Sequence, residues 1–343
     1  MKIGICYPYE LEARAGLDLV AACDERGLDS VWVVENAGWP GAFATAGAVA
    51  AITRRLLVSI GVVSAFTRSP SVLAVEAGQV QKLSQGRFRM GLGVGSVRLL
   101  ADFGIDTSHP VEGIGETVRV LRSILEGGIE GHHGKRHTVR QFKLAFDVKP
   151  PPPIHIGTMG PKMTVLAGQI ADGLIVSTHT PVEAMKQSIN AARAACREAG
   201  RAPADFHVTA FVIASIARDT AAAREALRPR QAIDIWRITR NVPSFAQTLT
   251  AIGMDEGKIA TISNAARPED IISLVDDAVL DALCFAGDAA AFERRLMELQ
   301  AAGVDEVVLF QAPEEHDFKD HLHDLVSAAR KVGALKGRGT HAR

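Results

Sequence analysis

Cysteine is scarce in this 343-residue chain, and the four present (Cys6, Cys23, Cys196, Cys284) form no Cys-x-x-Cys pair. That spacing argues against a disulfide framework or a zinc site and points to a reducing compartment. An excess of either charge is also missing: 38 Lys and Arg face 39 Asp and Glu, for a formal charge of −1. Neither nucleic acid nor an anionic membrane is therefore expected as the main partner. No apolar run approaches the length of a membrane span. The opening Met1-Lys-Ile-Gly-Ile enters an apolar strand without the small-residue cleavage region of a signal peptide, so a cytoplasmic location is expected. The first strand is not followed by G-x-G-x-x-G, nor by an acidic residue at the usual offset, which weakens an open doubly wound sheet. Repeats and low-complexity linkers are lacking too, and one domain is expected over residues 1–335.

What is present is alternation. Hydrophobic content of 47% and charged content of 22% fit a globular protein able to bury a sizeable core. Strand-like runs at Ile3–Cys6, Ser30–Val34, Leu57–Val63, Phe88–Gly93, Ile154–Gly157, Gly173–Ser177, Asp205–Ile216 and Val304–Gln311 are separated by segments of helical periodicity. About eight strands with intervening helices imply a parallel sheet with right-handed crossovers, and so an α/β fold of the (β/α)8 TIM-barrel type. Residues 127–150 break the rhythm as a small hairpin excursion. Residues 229–266 carry only helical signal and read as a helical insertion near the C-terminal third. A last helix is expected over Asp317–Val332, and a disordered tail over 336–343.

In such a barrel, function gathers just after each strand. The stretch Ile60-Gly-Val-Val-Ser-Ala-Phe-Thr-Arg-Ser-Pro70 is the centre of the pattern. A glycine inside a buried strand marks a bulge or a close approach to the backbone. Residues Gly61 to Ser64 are therefore expected to form the wall against which a flat cofactor ring lies. After the fourth strand, Gly93-Val-Gly95-Ser96 offers a narrow corridor, either for a ligand or as a plain turn. After the fifth, Gly157-Thr-Met-Gly160-Pro161 places free N–H groups at a helix N-terminus, an anion site suited to a cofactor phosphate. Glu35 and Asn36 follow the second strand, and Thr178 and His179 the sixth.

Three segments together resemble a known family. They are Gly61–Pro70, Leu83-Ser-Gln-Gly-Arg-Phe-Arg-Met-Gly-Leu-Gly-Val-Gly95, and Ile156-Gly-Thr-Met-Gly-Pro-Lys-Met163 followed by Leu166-Ala-Gly-Gln-Ile-Ala-Asp-Gly173. They are similar to the bacterial-luciferase-like superfamily, and within it to the coenzyme F420-dependent oxidoreductases of the methylenetetrahydromethanopterin-reductase kind. The likeness spans roughly residues 1–180 and returns at Phe285–Gly287 and Gly303–Phe310. It implies a non-prolyl cis peptide at Gly61–Val62 backing the ring and a hydrogen bond from Ser64 to the ring or its ribityl chain. It further implies that Gly93, Gly95 and Ser96 line the ribityl chain and ring edge, and that Gly157, Thr158, Met159 and Gly160 hold the phosphate. Glu35 matches an acidic position of the family and Asn36 stands beside it, where several relatives carry His. Ser96 stands where several carry an acid, as does Cys6. These neutral replacements imply chemistry different from that of the best-known relatives, since acid–base catalysis needs a group whose pKa lies near the working pH.

The first expectation is an F420-dependent oxidoreductase that moves a hydride between the deazaflavin C5 and a small organic substrate. Glu35 and His179 are its candidate proton-handling residues, and Trp39, Phe66, His179 and the 229–266 segment its candidate substrate pocket. The second is an FMN-dependent monooxygenase on the same barrel; the third is a catalytically silent flavin-binding protein. A metal-dependent hydrolase would need His-x-His after the first strand, where Tyr7-Pro8 stands. The histidines at 132, 133 and 137, and those at 316, 321 and 323, read as solvent-exposed rather than as metal ligands. Relatives of this kind are often dimers, and a homodimer is expected.

Overall fold

A computed structural model describes residues 1–311 except Ala37, Met159, Arg218 and Pro243. The expected final helix, the histidines at 316, 321 and 323, the 336–343 tail and the phosphate-loop residue Met159 lie outside the described residues. The elements run β1 (Lys2–Cys6), α1 (Ala13–Glu25), β2 (Ser30–Val33), α2 (Ala42–Ile52), β3 (Leu57–Ser64), α3 (Pro70–Leu83), β4 (Phe88–Gly93), α4 (Val97–Asp102) and α5 (Pro110–Leu125). A hairpin of β5 (His132–His133) and β6 (Thr138–Val139) precedes β7 (Ile154–Thr158), α6 (Pro161–Ile170), β8 (Gly173–Val176), α7 (Val182–Glu198) and β9 (His207–Ile216). Then come α8 (Thr220–Asn241), α9 (Phe245–Ala251), α10 (Glu256–Asn264), α11 (Asp277–Leu283), β10 (Phe285–Gly287), α12 (Ala289–Ala301) and β11 (Glu306–Gln311).

The chain forms two compact units, one of residues 2–176 with 187–209, the other of 177–186 with the chain from 210 onward. In the first, β1, β2, β3, β4, β7 and β8 lie side by side in that order, all parallel. β2 and β4 are buried at every residue, the continuous burial expected of strands covered on both faces. Carboxylates hold the N-terminal ends of three strands. Asp29 accepts from Ile3 N at 2.8 Å, and Asp172 from Ile154 N at 2.8 Å. Asp24 takes the N–H groups of Arg54, Arg55 and Leu56 at 2.7, 2.9 and 2.8 Å, anchoring the chain as it enters β3. Burial alone would push the Asp24 pKa up, but these three donors hold it below the ordinary value.

In the second unit, β10 pairs in parallel with the C-terminal end of β9. Leu227, Ile235, Phe245, Ile262, Val279 and Leu280 belong to one apolar core beneath the helices. The helical insertion expected over 229–266 starts at Pro229, a residue that lacks a helical N–H. The structure instead runs α8 through Pro229. Leu227 on one side and Ala232 and Ile235 on the other pack into the same core, and that burial outweighs the missing bond.

Candidate functional site at the end of the third strand

Up to Ile60, β3 pairs with β4 in regular register, Ile60 opposite Met90. The next pair is Val63 opposite Leu92, so Gly61 and Val62 together face Gly91 alone. This is the expected bulge, and the Gly61–Val62 peptide within it is cis. The end of the strand is tied down from both sides. Ser64 Oγ donates to Val94 O at 2.7 Å and accepts from Phe66 N at 3.2 Å, while Ser64 N donates to Glu35 Oε1 at 3.4 Å.

Glu35 is not a free acid. Arg68 grips it with both terminal guanidinium nitrogens, at 3.0 and 2.7 Å, and its Nε lies 3.1 Å from Glu76. The same guanidinium stands 5.5 Å from the centre of the Phe43 ring. Burial would lower the Arg68 pKa, but its bond to and the charge of Glu35, together with Glu76, carry it above the usual value. Glu76 is raised, chiefly by burial, with Arg68 opposing. Neither the role of Arg68 nor that of Glu76 is visible in sequence. The only signal is one arginine in the bulge segment and a carboxylate eight residues later, two turns along α3.

Beside the bulge lies a cleft of about 350 Å³, within the size range of small-molecule sites. Its lining combines polar side chains, Glu35, Asn36, Ser64, Arg68 and Ser96, with apolar ones, Trp39, Leu99, Leu100 and Phe103. Trp39 and Phe103 are among the most exposed large apolar side chains, at 40% and 62%. Trp39 is braced by Tyr9, ring centres 4.9 Å apart, and Tyr9 OH donates to Val34 O at 2.6 Å. Helix α4, which carries Leu99 and Leu100, is missed in sequence because glycines precede it. Its one signal is Ser96 standing as N-cap before an apolar run.

Of the residues expected to bind the cofactor, Glu35, Asn36, Ser64, Gly95 and Ser96 come together on this cleft. Gly93 is buried beside Val62. Pro161 opens α6 at its first turn as expected, and Gly160 caps it without a side-chain bond. The Thr158 hydroxyl is engaged within its own loop, donating to Gly160 O at 2.9 Å and accepting from Gly160 N at 3.0 Å. Phe66 lines a second, larger cleft of about 670 Å³, where the Arg136 guanidinium covers its ring at 4.1 Å. That arginine is set by Glu116, which accepts from His137 N at 2.8 Å, Arg136 N at 3.1 Å and the His132 ring at 3.0 Å, and so clamps the β5–β6 hairpin to α5. The His132 ring on Glu116 and the His137 ring, 2.9 Å from Thr117 Oγ1, are half-buried, while His133 is exposed as expected. Among the described residues, no cluster of three His, Cys, Asp or Glu side chains could hold a metal ion.

His179 belongs to the second unit. It is 3% exposed, takes a left-handed backbone conformation (φ 63°), and packs edge-on against Phe245. Its Nδ1 lies 3.0 Å from Thr178 Oγ1, and its Nε2 lies 4.0 Å from Asp234 without a hydrogen bond. Burial lowers its pKa, only partly countered by the Asp234 charge.

The family model for luciferase-like monooxygenases matches residues 1–306. The chain belongs to the luciferase-like family. It is 28% identical over 292 residues to a 5,10-methylenetetrahydromethanopterin reductase of Methanolobus tindarius, covering 83% of this chain and 86% of that one. The reductase of the same name from Archaeoglobus fulgidus is 27% identical over 318 residues, 90% and 92% of the two chains. Among solved structures, the coenzyme F420-dependent tetrahydromethanopterin reductase of Methanopyrus kandleri superposes with a TM-score of 0.83 at 24% identity, over 95% of this chain and 97% of that one. The fold class is accordingly the α/β (β/α)8 TIM barrel of the luciferase-like type. The chain is an enzyme of the oxidoreductase class.

Proposed function

We propose that the protein is an F420-dependent oxidoreductase that moves a hydride between the deazaflavin C5 and a small organic substrate. The observation that carries this reading is the bulge at Gly61–Val62 and the mixed polar and apolar cleft at the end of the same strand, in a chain that matches 5,10-methylenetetrahydromethanopterin reductases over most of its length. The residues present fit such a group. Gly61 and Val62 at the bulge are half-buried rather than sealed in the core, the cleft at the end of the strand has a volume that suits a planar ring, and α6 opens with an uncapped N-terminus of the kind that binds phosphate.

Bound F420 would supply the hydride chemistry; the chain supplies position and a dry surface. The main chain of Gly61 and Val62 would back the ring. Asn36, Gly95 and Ser96 would line its edge, Gly157, Thr158 and Gly160 would hold the phosphate, and Ser64 has one lone pair left for a polar partner. Glu35 acts here as the anchor of β3 through Arg68, not as a free acid. Trp39, Leu99 and Phe103 form the apolar face that excludes water from the substrate. His179, buried and with its pKa lowered, is a poor imidazolium donor. A homodimer in a reducing compartment belongs to the same reading, in keeping with four buried free thiols.

The test is a fluorescence titration of purified protein with F420 and, separately, with FMN, followed by turnover with a panel of carbonyls, imines and alcohols. Saturable F420 binding with turnover supports the reading. Tight FMN binding with no response to F420 moves the protein to the monooxygenase class, and F420 binding without any turnover favours a silent binder.

A further inference from the structure

We infer that Gly91, Gly93 and Gly157 are positioning residues for Val62: they form a socket that receives its side chain and so fix the height of the main-chain shelf. The functional weight of this rests on the reading of that shelf as the cofactor wall; the geometry itself does not.

Residues 91 and 93 lie on the same face of β4, because side chains two apart along a strand share a face. The bulge brings Val62 over that face, since two residues of β3 oppose one of β4. A methyl group added at Gly93 would lie 2.6 Å from Val62 Cγ2. One added at Gly157, on the neighbouring strand β7, would lie 2.7 Å from Val62 Cγ1. At Gly91 it would meet Ile60 O and Ile175 Cδ1, each at 2.5 Å, and Val62 Cγ1 at 3.3 Å. Contacts under 3.0 Å do not occur between real carbons of this kind, so something must shift. Both γ-methyls are therefore seated, Cγ2 on Gly93 and Cγ1 on Gly157 and Gly91, which suits a β-branched residue with one fixed rotamer.

This separates glycines that sequence treats alike. Gly93 is buried, and the space a side chain would need there is filled by Val62. Gly95, two residues on, is exposed, has a positive φ of 84°, and lines the cleft. The glycine-rich end of β4 is thus two devices in sequence, a socket and then a ligand edge.

The socket makes a specific demand on paired variants. Gly93→Ala should displace Val62, lower Tm, and weaken F420 binding at least about tenfold, as overpacking a closed site does. Val62→Ala should stay folded yet bind about threefold more weakly, because the shelf loses its seat. The double variant should bind better than Gly93→Ala alone and come within about threefold of Val62→Ala, a non-additive recovery expected only of residues in contact. Pairing Gly93→Ala with Val72→Ala, an exposed α3 position, should recover nothing. A Gly93→Ala protein that binds like the parent would overturn the inference, as would a double variant as weak as the product of the singles. If Gly93→Ala is insoluble, recovery of folded protein by Val62→Ala is the readout, and its failure counts against the socket. If the parent binds neither F420 nor FMN, the functional reading fails by itself, and the same non-additivity in Tm decides the socket.

Discussion

Arg68→Met is the most informative single change at the end of β3. It removes a two-pronged grip on Glu35 at 3.0 and 2.7 Å and the contact with Glu76 at 3.1 Å. The Arg68 and Glu35 side chains are 23% and 17% exposed, between the surface and interior limits. An exposed pair contributes about 0–1 kcal/mol, and breaking a fully buried one costs about 3–5 kcal/mol, so a cost of about 2 kcal/mol is expected here. With an unfolding entropy of about 0.7 kcal/mol/K for a chain this long, Tm should fall by about 3 °C. The cost should depend on pH. Glu76 already has a raised pKa from burial, and Arg68 is the group that holds it down. A carboxyl with a folded pKa above its unfolded one contributes stability below the unfolded value and loses it as pH rises through the folded value. Without Arg68 that loss is larger, so the deficit of Arg68→Met should be small near pH 4.5 and full by pH 8. Scanning calorimetry of parent and variant across that range measures it. A deficit equal at both pH values, or a Tm unchanged at pH 8, would refute the reasoning. Arg68→Lys should recover only part of the loss, because an ammonium cannot make the paired contact.

Four further outcomes follow from the same structure. Glu116→Gln should free the β5–β6 hairpin at a cost of about 1–3 kcal/mol, seen as faster amide exchange at Arg136 and His137. Burial would raise the Glu116 pKa, but the His137 N–H, the His132 ring and the Arg136 N–H hold it below the ordinary value, so the clamp should hold above about pH 4.5 and fail as pH falls through the depressed value. Asp24→Asn should cost about 2 kcal/mol by weakening the three bonds that start β3, with the parent's advantage present above about pH 4 and lost below it in urea titrations. His155 and His179 both have pKa values lowered first by burial, His155 strongly. Protonation therefore favours the unfolded chain, stability should drop as pH falls below about 6.5, and His155→Gln should flatten that drop. His179→Asn, which tolerates the left-handed backbone, should change kcat by less than about threefold if the imidazole is not the proton carrier.

The alternation of strands and helices was legible from hydrophobic runs. So was the bulge, because a glycine inside the apolar run Leu57–Ser64 weakens a strand unless the chain bends there or something lies against its backbone. What sequence could not show is what the glycines serve. Gly93 and Gly95 look like one corridor, yet Gly93 answers to Val62 on another strand. The Glu35–Arg68 pair joins residues 33 apart, and the Glu116 clamp joins α5 to a hairpin 16 to 21 residues on; such pairings are set by packing, not by local pattern. The insertion expected to start at 229 instead continues α8, since burial in the core of the second unit outweighs the N–H that Pro229 lacks.

The main chain of Gly61 and Val62 is proposed above all as the wall for a deazaflavin ring. A crystal structure of the protein grown with F420 tests this directly. The ring should stack on that peptide with its edge toward Asn36 and Ser96; a ring seated anywhere else, with the β3 bulge bare, would contradict it.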